Sequence, residues 1–212
     1  MSIPQAKWKT RCVIYDCDGV LFDSLEANRT LYNDLCALVG RAPLKEEEVK
    51  YVHSHTVYES IHFVFAHEDG LEKKVLELLK RVDLRHYMVY LKMEPNLLET
   101  LNLLEENGLI RAISTNRTTS MKHIMERFNL WPHFDMVVTA LDVKHPKPHA
   151  ESIEKIMQAF NLDKGETVFV GDSEVDQKTA ESSGIKFVAY KNREIPSDVF
   201  IDDHLALLDF LS

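Results

Sequence analysis

The sequence predicts an α/β protein, a doubly wound, three-layer, Rossmann-like parallel sheet interrupted early by an inserted block of helices. Three observations lead there. Short apolar runs of strand type alternate with helical segments of ten or so residues through the second half of the chain, the pattern of a parallel sheet with helical crossovers. The first such run, Val13-Ile14-Tyr15, is followed by about seventy residues of helical character, far more than one crossover helix needs. Several runs stop at polar residues able to do chemistry, and strand ends on one side of a parallel sheet face a common crevice.

Taken in order, Val13-Ile14-Tyr15 ends at Asp16-Cys17-Asp18, and Gly19 turns the backbone away. Ser24 is a natural N-cap for a helix over 25–39, where Leu31, Leu35 and Leu38 fall near helical spacing and Gly40 stops the pattern. No convincing strand interrupts the chain from Gly40 to Glu94. Helices are expected from Glu46, over 58–65, over 71–82 and over 84–93. Pro95 opens a helix over 96–106 that Asn107-Gly108 ends. Strands follow at 109–113, 136–138, 167–170 and 186–190, separated by helices over 118–128, 150–160 and 174–183. Residues 199–201 add an edge strand before a terminal helix over 203–211. No internal repeat or low-complexity tract is present. The expected division is a core of residues 1–21 and 94–212 with a helical insert of residues 22–93.

Composition narrows the class. A chain of 212 residues, 45% hydrophobic and 28% charged, can bury a real core and is far from a disordered composition. Its net charge of −9 provides no basic field for a phosphate backbone or an anionic membrane, so nucleic acid and membrane partners are not expected. Residues 1–9 lack the apolar run of a signal peptide, and no window reaches the ~18 apolar residues of a membrane span. Cys12, Cys17 and Cys36 form no C-x-x-C pair and are odd in number, which suits a reducing compartment. A cytoplasmic monomer is expected.

At the strand ends stand Asp16 and Asp18, Thr115 and Asn116, and Gly171-Asp172-Ser173 with Asp176 four positions on, while Lys147 sits in a loop between Pro146 and Pro148. Four aspartates in one crevice repel one another, and the remedies are a hard divalent cation with oxygen ligands or a neighbouring ammonium. Lys147 offers the ammonium, and Mg²⁺ is the natural ion. With charge so neutralised, a carboxylate can attack phosphorus and form an aspartyl phosphate, while a second carboxylate moves protons.

Asp16-Cys17-Asp18-Gly19-Val20, the strand end Ile113-Ser114-Thr115-Asn116, Lys147-Pro148 and Gly171-Asp172-Ser173-Glu174-Val175-Asp176 resemble, in order and spacing, the four motifs of the haloacid dehalogenase superfamily. The helical insert behind the first motif resembles the C1 cap of its phosphoglycolate phosphatase and β-phosphoglucomutase branch. That resemblance implies a role for each residue. Asp16 would be the nucleophile and a metal ligand. Asp18 would be general acid and base, lending its backbone carbonyl to the metal. Thr115, with Asn116 beside it, would bind the transferring phosphoryl oxygens. Lys147 would offset charge between the phosphoryl group, Asp16 and Asp172. Asp172 would bind Mg²⁺, with Asp176 behind it as a further or water-mediated ligand. The second aspartate of the first motif resembles phosphatases and phosphomutases and argues against carbon–halogen or phosphonate hydrolysis.

Blander readings stand beside these. Asp172 and Asp176 suit the cap and first turn of a helix, and Lys147 suits an exposed loop. Ser114 competes with Thr115, because alternation lets only one of them face the crevice. Cys17 reads as a packed side chain with no histidine to activate it. His53, His55, His62, His67 and His86 crowd the insert without metal-ligand spacing, His62 and His67 being five positions apart. One of these, or Arg29, Lys50, Arg81 or Arg85, is expected to reach the substrate from the cap. Leu25-Glu26 replaces a proline common in relatives, and His145-Pro146 precedes Lys147 where relatives often have a glycine or a basic residue. The function expected is a Mg²⁺-dependent phosphatase acting on a small phosphorylated metabolite. The alternatives are a sugar phosphomutase and a non-catalytic small-molecule-binding module.

Overall fold

A strand whose residues are all apolar must sit mid-sheet with both faces covered, and Cys12–Tyr15 (β1) is buried along its whole length. The computed structural model describes residues 7–66 and 70–212. Around β1 it places Ile110–Ser114 (β4), Met136–Val138 (β5), Thr167–Gly171 (β6), Lys186–Tyr190 (β7) and Val199–Ile201 (β8). The spatial order is β5-β4-β1-β6-β7-β8, and every pairing is parallel.

The alternation of side chains along each strand separates two hydrophobic layers. Val13, Tyr15, Ile113, Val168, Val170, Val188 and Tyr190 face one layer, where Leu97–Glu106 (α5) and Ser120–Arg127 (α6) supply Leu101, Leu104, Ile124 and Met125. Cys12, Ile14, Ala112, Phe169, Phe187 and Ala189 face the other, covered by Ile153 and Ile156 of Glu151–Phe160 (α7) and Ala180 of Glu174–Ser183 (α8). This is the doubly wound, three-layer arrangement that the alternating pattern predicts.

The insert has its own core. Leu25–Val39 (α1), Glu46–Ser54 (α2), Val57–Phe65 (α3) and Leu71–Leu79 (α4) bury Tyr32, Leu35, Cys36, Val52, Ile61, Val64, Phe65 and Val75 against one another. Three departures from expectation lie at its borders. Phe22–Asp23 (β2) and Lys92–Met93 (β3) pair as a short antiparallel ribbon, so a strand does occur before Glu94. Residues 84–93, expected as a helix, form a 3-10 turn, Leu84–Tyr90, and then β3. Tyr87, Val89 and Tyr90 are weak helix formers, and the Asp83 carboxylate takes the Arg85 N–H at 3.0 Å, tightening the first turn. Ser24 precedes α1 but does not cap it: its backbone, at φ −119° and ψ 4°, is not in the extended conformation that capping needs. Likewise the expected terminal helix over 203–211 is a 3-10 turn, His204–Asp209. Among the described residues no helix is long and apolar enough to cross a membrane. His67 and residues 1–6 lie outside the described residues.

His204 is fully buried beneath β1, its Nε2 2.9 Å from the carbonyl of Val20 and its ring stacked 4.4 Å from that of Tyr190. Burial lowers its pKa to about 4. The unfolded chain, with an ordinary imidazole, therefore binds one more proton between about pH 6.5 and 4, and stability falls as pH drops through that window. Urea unfolding at pH 7 and pH 4.5 is expected to show that His204→Asn loses roughly 2–3 kcal/mol less between the two pH values than the wild type does.

Candidate active site

The sheet brings the separated motifs together at the carboxyl ends of β1, β4 and β6. Asp16 lies just past β1, its N–H continuing the ladder to the Val170 carbonyl at 2.9 Å. Thr115 continues β4 in the same way, donating its N–H to Val138 at 3.0 Å. Lys147, from the loop before α7, is buried with its Nζ 2.7 Å from Asp16 and 2.6 Å from Asp176. One carboxylate oxygen from each of Asp16, Asp172 and Asp176 lies within 4.8 Å of the others. Lys147 thus bridges Asp16 to Asp176, where the resemblance implied Asp16 and Asp172.

Asp176 serves the helix as well as the site. Ser173 is the N-cap of α8, and its hydroxyl accepts the Asp176 N–H at 3.3 Å and donates back to Asp176 Oδ2 at 2.6 Å. The other Asp176 oxygen holds Lys147. Capping and charge pairing therefore use different oxygens of one carboxylate, and Asp172 caps nothing.

The electrostatics follow from crowding. Burial pushes the Asp16 carboxyl up to about 7 against the pull of the Lys147 ammonium, with Asp176 and Asp18 adding to the rise. Burial and then its neighbours Asp176, Asp16 and Asp18 push Asp172 well above the ordinary carboxylate range. Asp18 moves the other way. Burial opposes its ionisation, but the Arg117 guanidinium, 2.5 Å away, and His53 hold its carboxyl below the ordinary value.

Arg117 is the residue that sequence reasoning missed. It follows Thr115-Asn116 directly, and the signal available was the charge inventory, which matched Lys147 to the acids and left Asp18 without a cation. Thr115 faces the crevice, while Ser114 turns into the sheet's other face and bonds Ser152 at 2.8 Å. Asn116 lines the crevice too, but its amide nitrogen already donates to the carbonyls of Lys147 at 3.1 Å and Ser54 at 3.4 Å. It ties the lysine loop to the end of α2. Cys17 is buried, and burial pushes its thiol up, out of reach of a nucleophilic role.

Of the insert's candidates, His53 and His55 border the crevice. His53 Nε2 is 3.8 Å from Asp172, and its Nδ1 meets the Asn28 amide at 3.2 Å. His62 is exposed beside Glu72. Arg29 pairs with Glu46 and Arg85 with Asp83, and neither they nor Lys50 and Arg81 line the crevice. The cavity is about 420 Å³, floored by Asp16, Asp18, Thr115 and Lys147 and roofed by the insert.

Reacting groups gathered at the carboxyl ends of one parallel sheet define a class of α/β proteins that work in the crevice above the strands. Comparison with known proteins narrows the class. A family model described as haloacid dehalogenase-like hydrolase matches residues 13–190, and the chain belongs to that family. It is 34% identical to a subfamily IA hydrolase of the haloacid dehalogenase superfamily from Geobacter sulfurreducens, whose crystal structure superposes with a TM-score of 0.78 over 99% of this chain and 100% of that one. A phosphoglycolate phosphatase of Rhodobacter capsulatus is 26% identical over 88% of this chain and 87% of its own length. A pyrophosphatase of Halalkalibacterium halodurans is 39% identical over 42% of this chain, a stretch that spans 41% of that relative.

Close packing at the strand end gives a direct test. A Cβ on Gly171 would lie 2.3 Å from the Asp176 Cβ, at the root of a side chain that cannot swing away. Gly171→Ala is expected to destabilise by about 1–3 kcal/mol. At about 2–4 °C per kcal/mol for a chain of this size, calorimetry should show Tm falling by several degrees.

Proposed function

We propose that the protein is a Mg²⁺-dependent phosphatase that hydrolyses a small phosphomonoester through an aspartyl phosphate on Asp16. The observation that carries this reading is the buried Lys147 bridge between Asp16 and Asp176, with Asp172 alongside, at the floor of a cavity that the insert partly covers. Names of relatives support phosphoryl chemistry: phosphoglycolate phosphatase and pyrophosphatase.

Asp16 is the better nucleophile of the first pair because the Lys147 ammonium keeps it oriented toward the cavity. Its carboxylate oxygen attacks phosphorus as the bond to the leaving oxygen breaks. Asp18 donates a proton to that oxygen, releasing an alcohol. Water then attacks the phosphorus of the aspartyl phosphate, Asp18 takes its proton, and the Asp16 carboxylate leaves as inorganic phosphate departs. Asp18 must enter the cycle protonated, so Arg117 has to loosen its hold when substrate arrives. Thr115 contributes a hydroxyl to the phosphoryl oxygens. Asn116 acts by holding Lys147 and the end of α2 in place.

The donor set fits a hard cation. Asp172 makes no side-chain hydrogen bond among the described residues and faces two further carboxylates, a crowding that oxygen-loving Mg²⁺ relieves. Asp16, Asp172 and the backbone carbonyl of Asp18 would hold it, with Asp176 behind them engaged by Lys147 and Ser173. Bound there, Mg²⁺ offsets carboxylate charge and polarises phosphoryl oxygens.

Residues 22–93 are read as a cap over the core of 1–21 and 94–212. The ribbon β2–β3 marks both crossings between them, and the insert's separate hydrophobic cluster supports it as a unit. A monomeric, cytoplasmic enzyme acting on a phosphorylated metabolite, with neither nucleic acid nor membrane as partner, is consistent with the acidic surface and three buried free cysteines.

The test is phosphate release from a metabolite panel that includes sugar phosphates. Asp16→Asn is expected to abolish turnover, and Asp18→Asn to lower kcat by about 10²–10⁴. Chelation should stop the reaction and added Mg²⁺ restore it. Activity that survives Asp16→Asn or ignores chelator contradicts the mechanism.

A further inference from the structure

The cavity above the reacting groups has two unlike halves. Its floor is charged, yet each cation that lines it is already engaged: Lys147 by Asp16 and Asp176, Arg117 by Asp18, and Lys80, at the exposed rim, by Glu77 at 2.6 Å. A second anionic group, a carboxylate or another phosphoryl, would find no buried cation unpaired except the Arg117 that the proposed cycle frees from Asp18, and would compete for it with the reacting phosphoryl group. Most of the remaining wall belongs to the insert, where Leu31 and Tyr32 of α1, Val57 of α3, Leu79 at the end of α4, and Tyr87 and Met88 of the 3-10 turn form an apolar stretch; Asn28, His53 and His55 of the insert and residues 118–120 of the core are its polar members. The Tyr87 hydroxyl does not serve the cavity, because it donates to Asp34 at 2.8 Å.

A volume of about 420 Å³ is within the range of sites for drug-sized ligands, well beyond one phosphoryl group and a two-carbon acid. Filled by such a small substrate, the upper half would keep water against apolar walls, and an apolar substituent that expels this water gains free energy. We propose that the leaving group is apolar, so that the substrate is the phosphomonoester of an alkyl or aryl alcohol that lays its hydrocarbon against Leu31, Leu79 and Met88. This rests on the phosphatase reading and assigns that site its substrate class. It sets the chain apart from relatives named for phosphoglycolate and pyrophosphate, whose substrates carry a second anion next to the reacting one.

Mg²⁺-dependent phosphate release tests it, with kcat/KM measured for methyl, butyl and hexyl phosphate, phenyl phosphate, 2-phosphoglycolate and pyrophosphate. Each added methylene is expected to raise kcat/KM about fourfold until the cavity is filled. Hexyl phosphate should exceed both dianionic competitors by about a hundredfold or more. Leu79→Asp, at the end of a helix in the insert, should lower the hexyl-to-methyl ratio at least about tenfold, and Met88→Gln should lower it in the same direction. A flat or falling alkyl series, a preference for phosphoglycolate or pyrophosphate, or a ratio untouched by both substitutions overturns the inference while leaving the phosphatase reading in place. Silence toward every compound in this series also overturns the inference, and the metabolite panel above decides the phosphatase reading separately.

Discussion

Lys147 is the residue on which the site depends. Its ammonium is buried between Asp16 at the end of β1 and Asp176 in the first turn of α8, so one side chain fastens a strand end and a helix start to the loop that carries it. A buried charge is tolerable only when paired, and removing one partner strands the rest, typically at about 3–5 kcal/mol. The three groups therefore stand or fall together. The surrounding packing leaves little freedom to rearrange them, since Gly171 lies against Asp176 and Gly19, with φ of +73°, lies against Asp172. Only glycine fits at either place without displacing a carboxylate.

Two aspartates separated by one residue take opposite environments from this frame. Asp16 is pushed up by burial and like charges, and Asp18 is drawn down by Arg117 and His53. Taken alone, this split opposes the roles proposed, since a raised carboxyl favours its protonated form and a lowered one its ionised form; a cation held at Asp16 and the release of Asp18 by Arg117 would reverse it. His53 and the Asn116–Ser54 contact link that division to the insert, because both depend on the end of α2 lying over the strand ends.

Much of this was legible in the sequence because the signals were local. Leu25–Val39, Met136–Val138, Glu174–Ser183, Lys186–Tyr190 and Val199–Ile201 begin and end where periodicity and turn residues place them. The residues Asp16, Thr115, Lys147, Asp172 and Asp176 converge because parallel strands present one end to one crevice, which topology alone ensures. What failed depended on tertiary context. The 84–93 segment reads as helical, yet pairing of Lys92-Met93 with Phe22-Asp23 overrides its end. Arg117 reads as an ordinary helix-flanking cation until burial beside Asp18 gives it a partner. The bonding of the Asn116 amide to two carbonyls, and of Lys147 to Asp176, belongs to side-chain geometry that no spacing encodes. The apolar wall of the cavity was equally hidden, because Leu31, Leu79 and Met88 look like core residues of a bundle until the bundle is set over the sheet.

The central claim is that Asp16 forms a covalent bond to phosphorus, and trapping that bond tests it most directly. Wild-type protein mixed with Mg²⁺ and a turned-over phosphomonoester, quenched in acid within the first turnover and digested, is predicted to yield a peptide spanning Asp16 heavier by one phosphoryl group. Phosphate release in the same samples with no such peptide, or with the phosphoryl group on another residue, would contradict the account.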